Sequence, residues 1–329
     1  MTTVTFQLNW EPNGFQAPYF LARRRGFYEE EGLDVQFVEG HGSPFAAEET
    51  ARGRADVGLA GASAVLAKQS EGFDPLAVAS LTKRTPAAIY TLRDVFGEPL
   101  TDPTQLAGKT VAPSATKTRI LAAQALKQAG VLDDVELLDV DPKTHHRVEH
   151  KVLDGSVDAA VGVVTNGTEL QWEHDRTADE LPIGEQLGVY GMMLVANREF
   201  AETNPDALEG LLRAIARGWI EATNDPEAAI DALIERNATL ERRRAIETEK
   251  FLAAAEGLQY TDHVAEAGWG VHEHDRWQRL ADLLAETDLL DGEVEPSELW
   301  TNDYIDRDAP EIRDYATRIG RVSEPATED

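Results

Sequence analysis

Cysteine is absent from all 329 residues. That excludes a disulfide framework, a thiolate nucleophile, iron–sulfur ligation and cysteine-based zinc sites. Lysine is scarce: eight lysines and 23 arginines make up the 31 basic residues, against 60 Asp and Glu. The formal charge of −29 opposes binding to a phosphate backbone, so nucleic acid is not expected as a partner. The acid is spread along the whole chain rather than gathered in a tail, a pattern like that of salt-adapted surfaces, where ions screen the self-repulsion. No run reaches the roughly 18 apolar residues that would span a bilayer. The start, Met1-Thr2-Thr3-Val4-Thr5-Phe6, reads as a strand rather than a signal peptide. As written, the chain is therefore expected to be cytoplasmic, or extracytoplasmic and membrane-associated if a leader has been removed.

What is present is ample core material, 42% hydrophobic residues, in a patterned order. Short β-rich runs alternate with amphipathic stretches, the grammar of an α/β protein. Strands are predicted at 4–8, 33–38 and 55–60, with helices at 18–25, 46–52 and 64–69, the last with Ser63 as N-cap. A second series of strands follows at 88–92, 109–112, 135–138 and 157–163, with helices at 117–130 and 147–153. Residues 193–196 read as a return strand. Beyond Asn204 the chain reads as helical, at 205–223, 226–236, 240–256 and 275–287, and the tail after Pro325 as disordered. Two similar series joined by crossings predict two lobes: 1–90 with 194–329, and 91–193.

In open α/β sheets ligands sit outside the carboxyl ends of the strands. Trp10 follows the first predicted strand and is placed to stack on a flat ring, although packing on the lobe surface accounts for it as well. The turns Gly61-Ala62-Ser63-Ala64 and Ser114-Ala115-Thr116-Lys117-Thr118 set backbone N–H groups at helix starts, which favour anions or polar acceptors; Ser63 and Ser114 serve equally as ordinary caps. His146 and His150 share a helix face at a metal-ligand spacing but lack an identified third ligand, and no metal is predicted. Asp275 is expected to cap the last long helix, and Trp269 and Trp277 to lie in the core.

Several segments carry a family resemblance: Asn9-Trp10-x-Pro12; Phe20-Leu21-Ala22 with Gly26-Phe27-Tyr28 and Glu31-Gly32-Leu33-Asp34-Val35; Gly53-x-Ala55-Asp56-Val57-Gly58-Leu59; Asn197-x-Glu199-Phe200; Asn224-Asp225-Pro226; and Trp300-Thr301-Asn302-Asp303-Tyr304. Over residues 4–305 the chain resembles solute-binding proteins of ABC importers in the nitrate/sulfonate/taurine class. More narrowly, it is similar to the branch shared by thiamine-pyrimidine binding proteins and the fungal thiamine-pyrimidine precursor synthase. The resemblance implies a type II periplasmic-binding fold, a ligand trapped between lobes by hinge closure and an ABC transporter permease as partner; no cofactor is expected, given the departures below. It also implies Trp10 and Tyr190 as an aromatic sandwich, although Tyr190, in the glycine-flanked loop 188–191, could equally be packed under that loop; Asn13, Gly61, Ala62, Ser63, Ser114, Thr116 and Asn166 are the further candidates around a small-molecule ligand. The Asn166 amide suits an aminopyrimidine edge, or else caps the following helix.

The departures matter as much. Where the fungal synthase carries a cofactor-linked lysine and a substrate histidine, this chain has Ala60 and Ala64. Its cysteine motif falls at about 187–192, without cysteine, and its phosphate-gripping loop is replaced by Ser114-Ala115-Thr116-Lys117. The carboxylate that pyrimidine binders place after the Gly162 strand is missing, with Val164 and Asn166 there. The expectation is a binding protein for a hydroxymethylpyrimidine-like thiamine precursor. The alternatives are a cytoplasmic synthase of that pyrimidine, or a binder of another solute such as a sulfonate, nitrate or a riboflavin-like ring. An anion would call on Lys117 and Arg119.

Overall fold

The computed structural model describes residues 1–140, 148–286 and 290–320. His146, the end of the predicted 275–287 helix and the tail after Pro325 lie outside the described residues. The described chain divides into two compact units, one made of Met1–Lys83 with Tyr190–Asp329 and the other of Arg84–Val189. The division thus falls at Lys83/Arg84 and Val189/Tyr190, which puts Tyr190 in the first unit rather than in the second, where the sequence placed it.

The first unit holds a five-stranded sheet in the order β2-β1-β3-β10-β4. Its strands are β1 (Thr2–Gln7), β2 (Leu33–Val38), β3 (Val57–Gly61), β4 (Leu76–Ser80) and β10 (Met192–Ala196). β1 pairs in parallel with β2 and β3, and β10 runs antiparallel to β3 and β4. β3 and β4 are buried at every position. Covered strands read as continuous apolar runs without the alternation of a half-exposed strand, and β4 escaped the sequence reading for this reason.

Against this sheet packs the Pro205–Asn224 helix, started by a proline at its first turn. Leu208, Leu211, Leu212, Ile215 and Trp219 recur on its buried face at helical spacing. Trp219 meets Tyr19 of the Ala17–Arg24 helix edge-on, with ring centroids 6.2 Å apart and planes at 86°. Gly218 lets the two helices approach: a Cβ there would stand 2.6 Å from the Pro18 carbonyl oxygen. Trp269 and Trp277 are buried, as their spacing suggested.

The second unit repeats the arrangement in the order β7-β6-β8-β5-β9. Here β5 is Ala87–Leu92, β6 Thr110–Pro113, β7 Glu136–Leu137, β8 Ala159–Val163 and β9 Ala178–Pro182. β6 runs parallel to β7 and β8, while β5 is antiparallel to β8 and β9. β9 was not anticipated, because Ala-Asp-Glu-Leu-Pro has little strand propensity and is held by its pairing with β5.

The expected 240–256 helix is instead three pieces: a 3-10 turn Ala238–Arg243, an α-helix Arg244–Leu252 and a π-helical stretch Ala253–Gln259. Asn237 accounts for the early start, accepting a hydrogen bond from the Thr239 N–H. The π stretch is rich in alanine and contains Gly257. Ser63 does not cap the helix after β3. That helix runs Ala62–Ser70 with Gly61 at its cap and no side-chain cap bond. Likewise the Glu273 backbone, not Asp275, precedes the His274–Ala285 helix.

Trp219→Ala is expected to cost about 3–5 kcal/mol, read as a lower urea midpoint at unchanged slope.

Candidate functional site

In the first unit, β1, β2 and β3 end on one side, and three loops gather there. β1 runs into Leu8-Asn9-Trp10, whose carbonyls accept hydrogen bonds from the loop after β2: Gly42 N–H to Asn9 O at 2.6 Å and Gly40 N–H to Trp10 O at 3.4 Å. Gly40 must be glycine, since a Cβ would lie 1.9 Å from the Leu8 carbonyl oxygen. Trp10 is 44% exposed, whereas Trp219, Trp269 and Trp277 of the same unit are buried. The third loop is Gly61, Ala62 and Ser63, all buried at the start of the Ala62–Ser70 helix, with the Ala62 N–H given to the Gly191 carbonyl at 2.8 Å. A part-exposed aromatic that follows a strand can stack on a flat molecule. Ala60 and Ala64 lie buried in the same turn.

Asn13 has a different task. It caps the 3-10 turn Gly14–Gln16, its Oδ1 accepting from the Phe15 N–H at 3.0 Å while its Nδ2 donates to the Glu11 carbonyl. Gln16 closes the loop from below, accepting from the Asn13 N–H and donating to the Asn9 side chain at 3.0 Å. The whole loop is tied down by a residue the sequence reading missed. Glu247, buried on the Arg244–Leu252 helix, accepts the Gly14 N–H at 2.8 Å. Lys250 and Arg243 offset its charge at 3.5 and 3.6 Å. Nothing local in the sequence joins positions 14 and 247.

Tyr190 is 1% exposed. Its hydroxyl accepts from the Glu273 N–H at 2.7 Å, and its ring packs against His272 and Trp277. Beside it lies Lys83, also 1% exposed, whose Nζ donates to the Ser80 hydroxyl and to the Val271 carbonyl. Arg276 donates to the Lys83 carbonyl at 2.8 Å and pairs with Glu273 at 2.7 Å. Desolvation lowers the Lys83 amine to about 7, the Glu273 carboxylate partly opposing that shift and Arg276 adding to it.

In the second unit, the parallel strands β6 and β8 both end at helix starts. After β6, Ser114 and Thr118 hydroxyls lie 3.2 Å apart at the start of the Thr116–Gln128 helix, and the Ala115 N–H donates to Thr118. Thr116 is exposed there. Burial alone lowers the adjacent Lys117 amine to about 8, although its side chain keeps partial access to solvent. Arg119 is engaged with the Leu138 carbonyl and Asp139. After β8, Asn166 turns back, its Oδ1 accepting from the Val163 N–H at 2.8 Å, and only glycine fits at 162 beneath it. A carboxylate does reach this turn, from another strand: Glu180 of β9 accepts from the Thr165 and Gly167 N–H groups at 2.7 and 2.9 Å.

Trp10 thus follows β1 and Gly61, Ala62 and Ser63 end or follow β3 at one end of the first unit's sheet, while Ser114, Thr116 and Asn166 follow β6 and β8 at the corresponding end of the second. Asn13 and Tyr190 belong to the supports of the first. Among the described residues no group of three or more His, Asp or Glu is placed to hold a metal, and no helix is long and apolar enough to cross a membrane.

Residues 13–229 match the family described as NMT1/THI5 like. The chain is 26% identical over 253 residues to 4-amino-5-hydroxymethyl-2-methylpyrimidine phosphate synthase THI13 of Saccharomyces cerevisiae, covering 69% of this chain and 68% of that one. It is 23% identical over 317 residues to the riboflavin-binding protein RibY of Chloroflexus aurantiacus, covering 92% and 86%. Its structure is similar to the periplasmic aliphatic sulphonate binding protein SsuA from Escherichia coli, with TM-score 0.69 at 19% identity over 92% of this chain and 99% of that one. The two α/β units are those of the periplasmic-binding-protein fold.

Two outcomes follow from this geometry. Glu247→Ala is expected to speed amide exchange in residues 9–16 more than elsewhere in the unit, measured by hydrogen–deuterium exchange. For Lys83, the unfolded chain keeps the amine protonated toward its ordinary 10.5 while the folded state releases the proton near 7. The unfolded state therefore binds more protons between those values, and stability rises with pH there. The unfolding free energy of wild type relative to Lys83→Met should increase from pH 7 to pH 10 and be flat below pH 7.

Proposed function

Since the chain belongs to the NMT1/THI5-like family, we propose that it is the solute-binding protein of an ABC importer, capturing a small, flat, polar ligand without transforming it. A hydroxymethylpyrimidine-like thiamine precursor is the first ligand candidate. The observation that carries the reading is Trp10: a large aromatic held half-open at a strand edge by Gly40, Gly42 and the Gly14–Gln16 turn. Stacking on a ligand would bury the 44% of that residue left exposed.

The same scaffold serves relatives named as synthases, and the choice between binding and catalysis turns on two positions. Where the resemblance expects a cofactor-linked lysine and a substrate histidine stand Ala60 and Ala64, whose methyl groups supply neither nucleophile nor base. Lys83 is no substitute, as its amine is buried on Ser80 and Val271. A riboflavin-like ring is the second ligand candidate, favoured by the likeness to RibY across most of both chains. In this role the chain works outside the cytoplasm beside its permease.

Thermal-shift titration in high salt with hydroxymethylpyrimidine, riboflavin and pyridoxal phosphate tests the reading, because a ligand that selects the native state raises Tm by mass action. Stabilisation by the pyrimidine or by riboflavin is expected. Trp10→Ala should weaken that binding at least about tenfold, or about 1.4 kcal/mol, by calorimetry. Stabilisation by pyridoxal phosphate together with an aldimine absorbance band would instead support the synthase.

A further inference from the structure

The chain passes between its two units twice, at Lys83/Arg84 and at Val189/Tyr190. In the first unit the last residue before one crossing and the first after the other are held by the same later stretch of chain. The Lys83 N–H donates to the Leu258 carbonyl at 2.8 Å, and the Lys83 carbonyl accepts from Arg276 at 2.8 Å. The Tyr190 hydroxyl accepts the Glu273 N–H at 2.7 Å, and its ring lies against His272 and Trp277. Next to them the Gly191 N–H donates to the Thr82 carbonyl at 3.1 Å, tying the two crossing strands to each other. Residues 258–277 thus form a clasp over both.

At the centre of the clasp is the buried Lys83 amine, which donates to the Ser80 hydroxyl and, at 2.6 Å, to the Val271 carbonyl. Both acceptors are neutral, and two is the number of N–H groups that a neutral amine carries. An ammonium would bring a third N–H and a full charge, which is costly to bury without a counter-ion. The face of the Tyr190 ring, 5.7 Å from Nζ, is shared with the Arg276 guanidinium at the same distance. The titratable and charged groups around the amine are Tyr190, His263, His272, Glu273 and Arg276. Burial is the chief cause that lowers both histidines and raises the tyrosine hydroxyl, so none of the three changes charge between pH 7 and pH 9. Burial likewise lowers the lysine amine to about 7, and once in water it returns toward its ordinary 10.5.

We propose that this clasp is a proton-linked latch on the two crossings: opening of residues 258–277 exposes Lys83, which takes up a proton, so that both crossings gain freedom together as the pH falls toward neutral. The open clasp binds more protons than the closed one above pH 7, so rising pH favours closure and the effect levels off below pH 7. The latch goes beyond ligand capture and holds whatever the ligand is.

Native-state hydrogen exchange of the full chain from pH 7 to pH 9, corrected for the base catalysis of exchange itself, tests this at the Lys83 and Glu273 amides. The two should share one protection factor, lower by about tenfold or more than that of the Pro205–Asn224 helix, as expected of a local opening. One proton per opening makes that factor rise about tenfold per pH unit. In Lys83→Met it should be independent of pH; if that variant does not fold, Lys83→Gln takes its place with the same expectation. Tyr190→Phe, which keeps the ring and removes the acceptor of the Glu273 N–H, should lower protection about fivefold at the Lys83 amide as well as at Glu273, the worth of one hydrogen bond. Wild-type protection that does not change with pH, that equals the helix value at both amides, or a Tyr190→Phe effect confined to Glu273, would overturn the proposal. The wild-type slope decides even without a folded Lys83 variant.

Discussion

The hydrogen bond from the Gly14 N–H to the buried Glu247 carboxylate carries much of the first unit's organisation. A Cβ at Gly14 would meet the Glu247 carbonyl oxygen at 1.9 Å, so the two backbones touch only because position 14 is glycine. Through Gln16 and Asn9 that contact sets the course of the chain on both sides of Trp10. A buried carboxylate without compensation is costly; here Lys250, Arg243 and the N–H share its charge. The loop that presents the aromatic ring is therefore only as well placed as a helix more than two hundred residues further along the chain.

The second unit uses the same device with a different result. Glu180 also satisfies backbone N–H groups with a side-chain carboxylate, but at a helix start on the strand edge rather than beneath a loop. In both cases a carboxylate from another element satisfies donors that would otherwise seek water. One carboxylate braces a loop; the other caps a helix start.

Local signals carried the alternation of strands and helices, and with it the fold class: β1, β2 and β3 and the long Pro205–Asn224 helix announce themselves by strand-forming runs, periodicity and Asn-Pro starts. Trp10 was legible as well, since it follows a strand and precedes turn-forming residues. What sequence could not reach were pairings across the chain. β9 exists because β5 offers it a partner. Tyr190 looked like a glycine-flanked loop aromatic, yet the 271–277 segment returns to bury it. Asn13 and Ser63 were expected around the ligand, Ser63 from its place at a helix start or else as an ordinary cap. Asn13 spends its amide on its own turn, and Ser63 falls inside a helix that starts two residues earlier than its capping preference implied.

The division at Lys83/Arg84 and Val189/Tyr190 has a consequence for the order of assembly. The second unit is a single uninterrupted stretch, whereas the sheet of the first cannot be completed until β10 has been synthesised, after the entire second unit. On the ribosome, β3 waits without its antiparallel neighbour, an open hydrophobic edge of the sort that invites misassociation. The inserted unit can fold first and bring its two ends together, sparing β10 part of the loop-closure entropy of finding β3 across more than a hundred intervening residues.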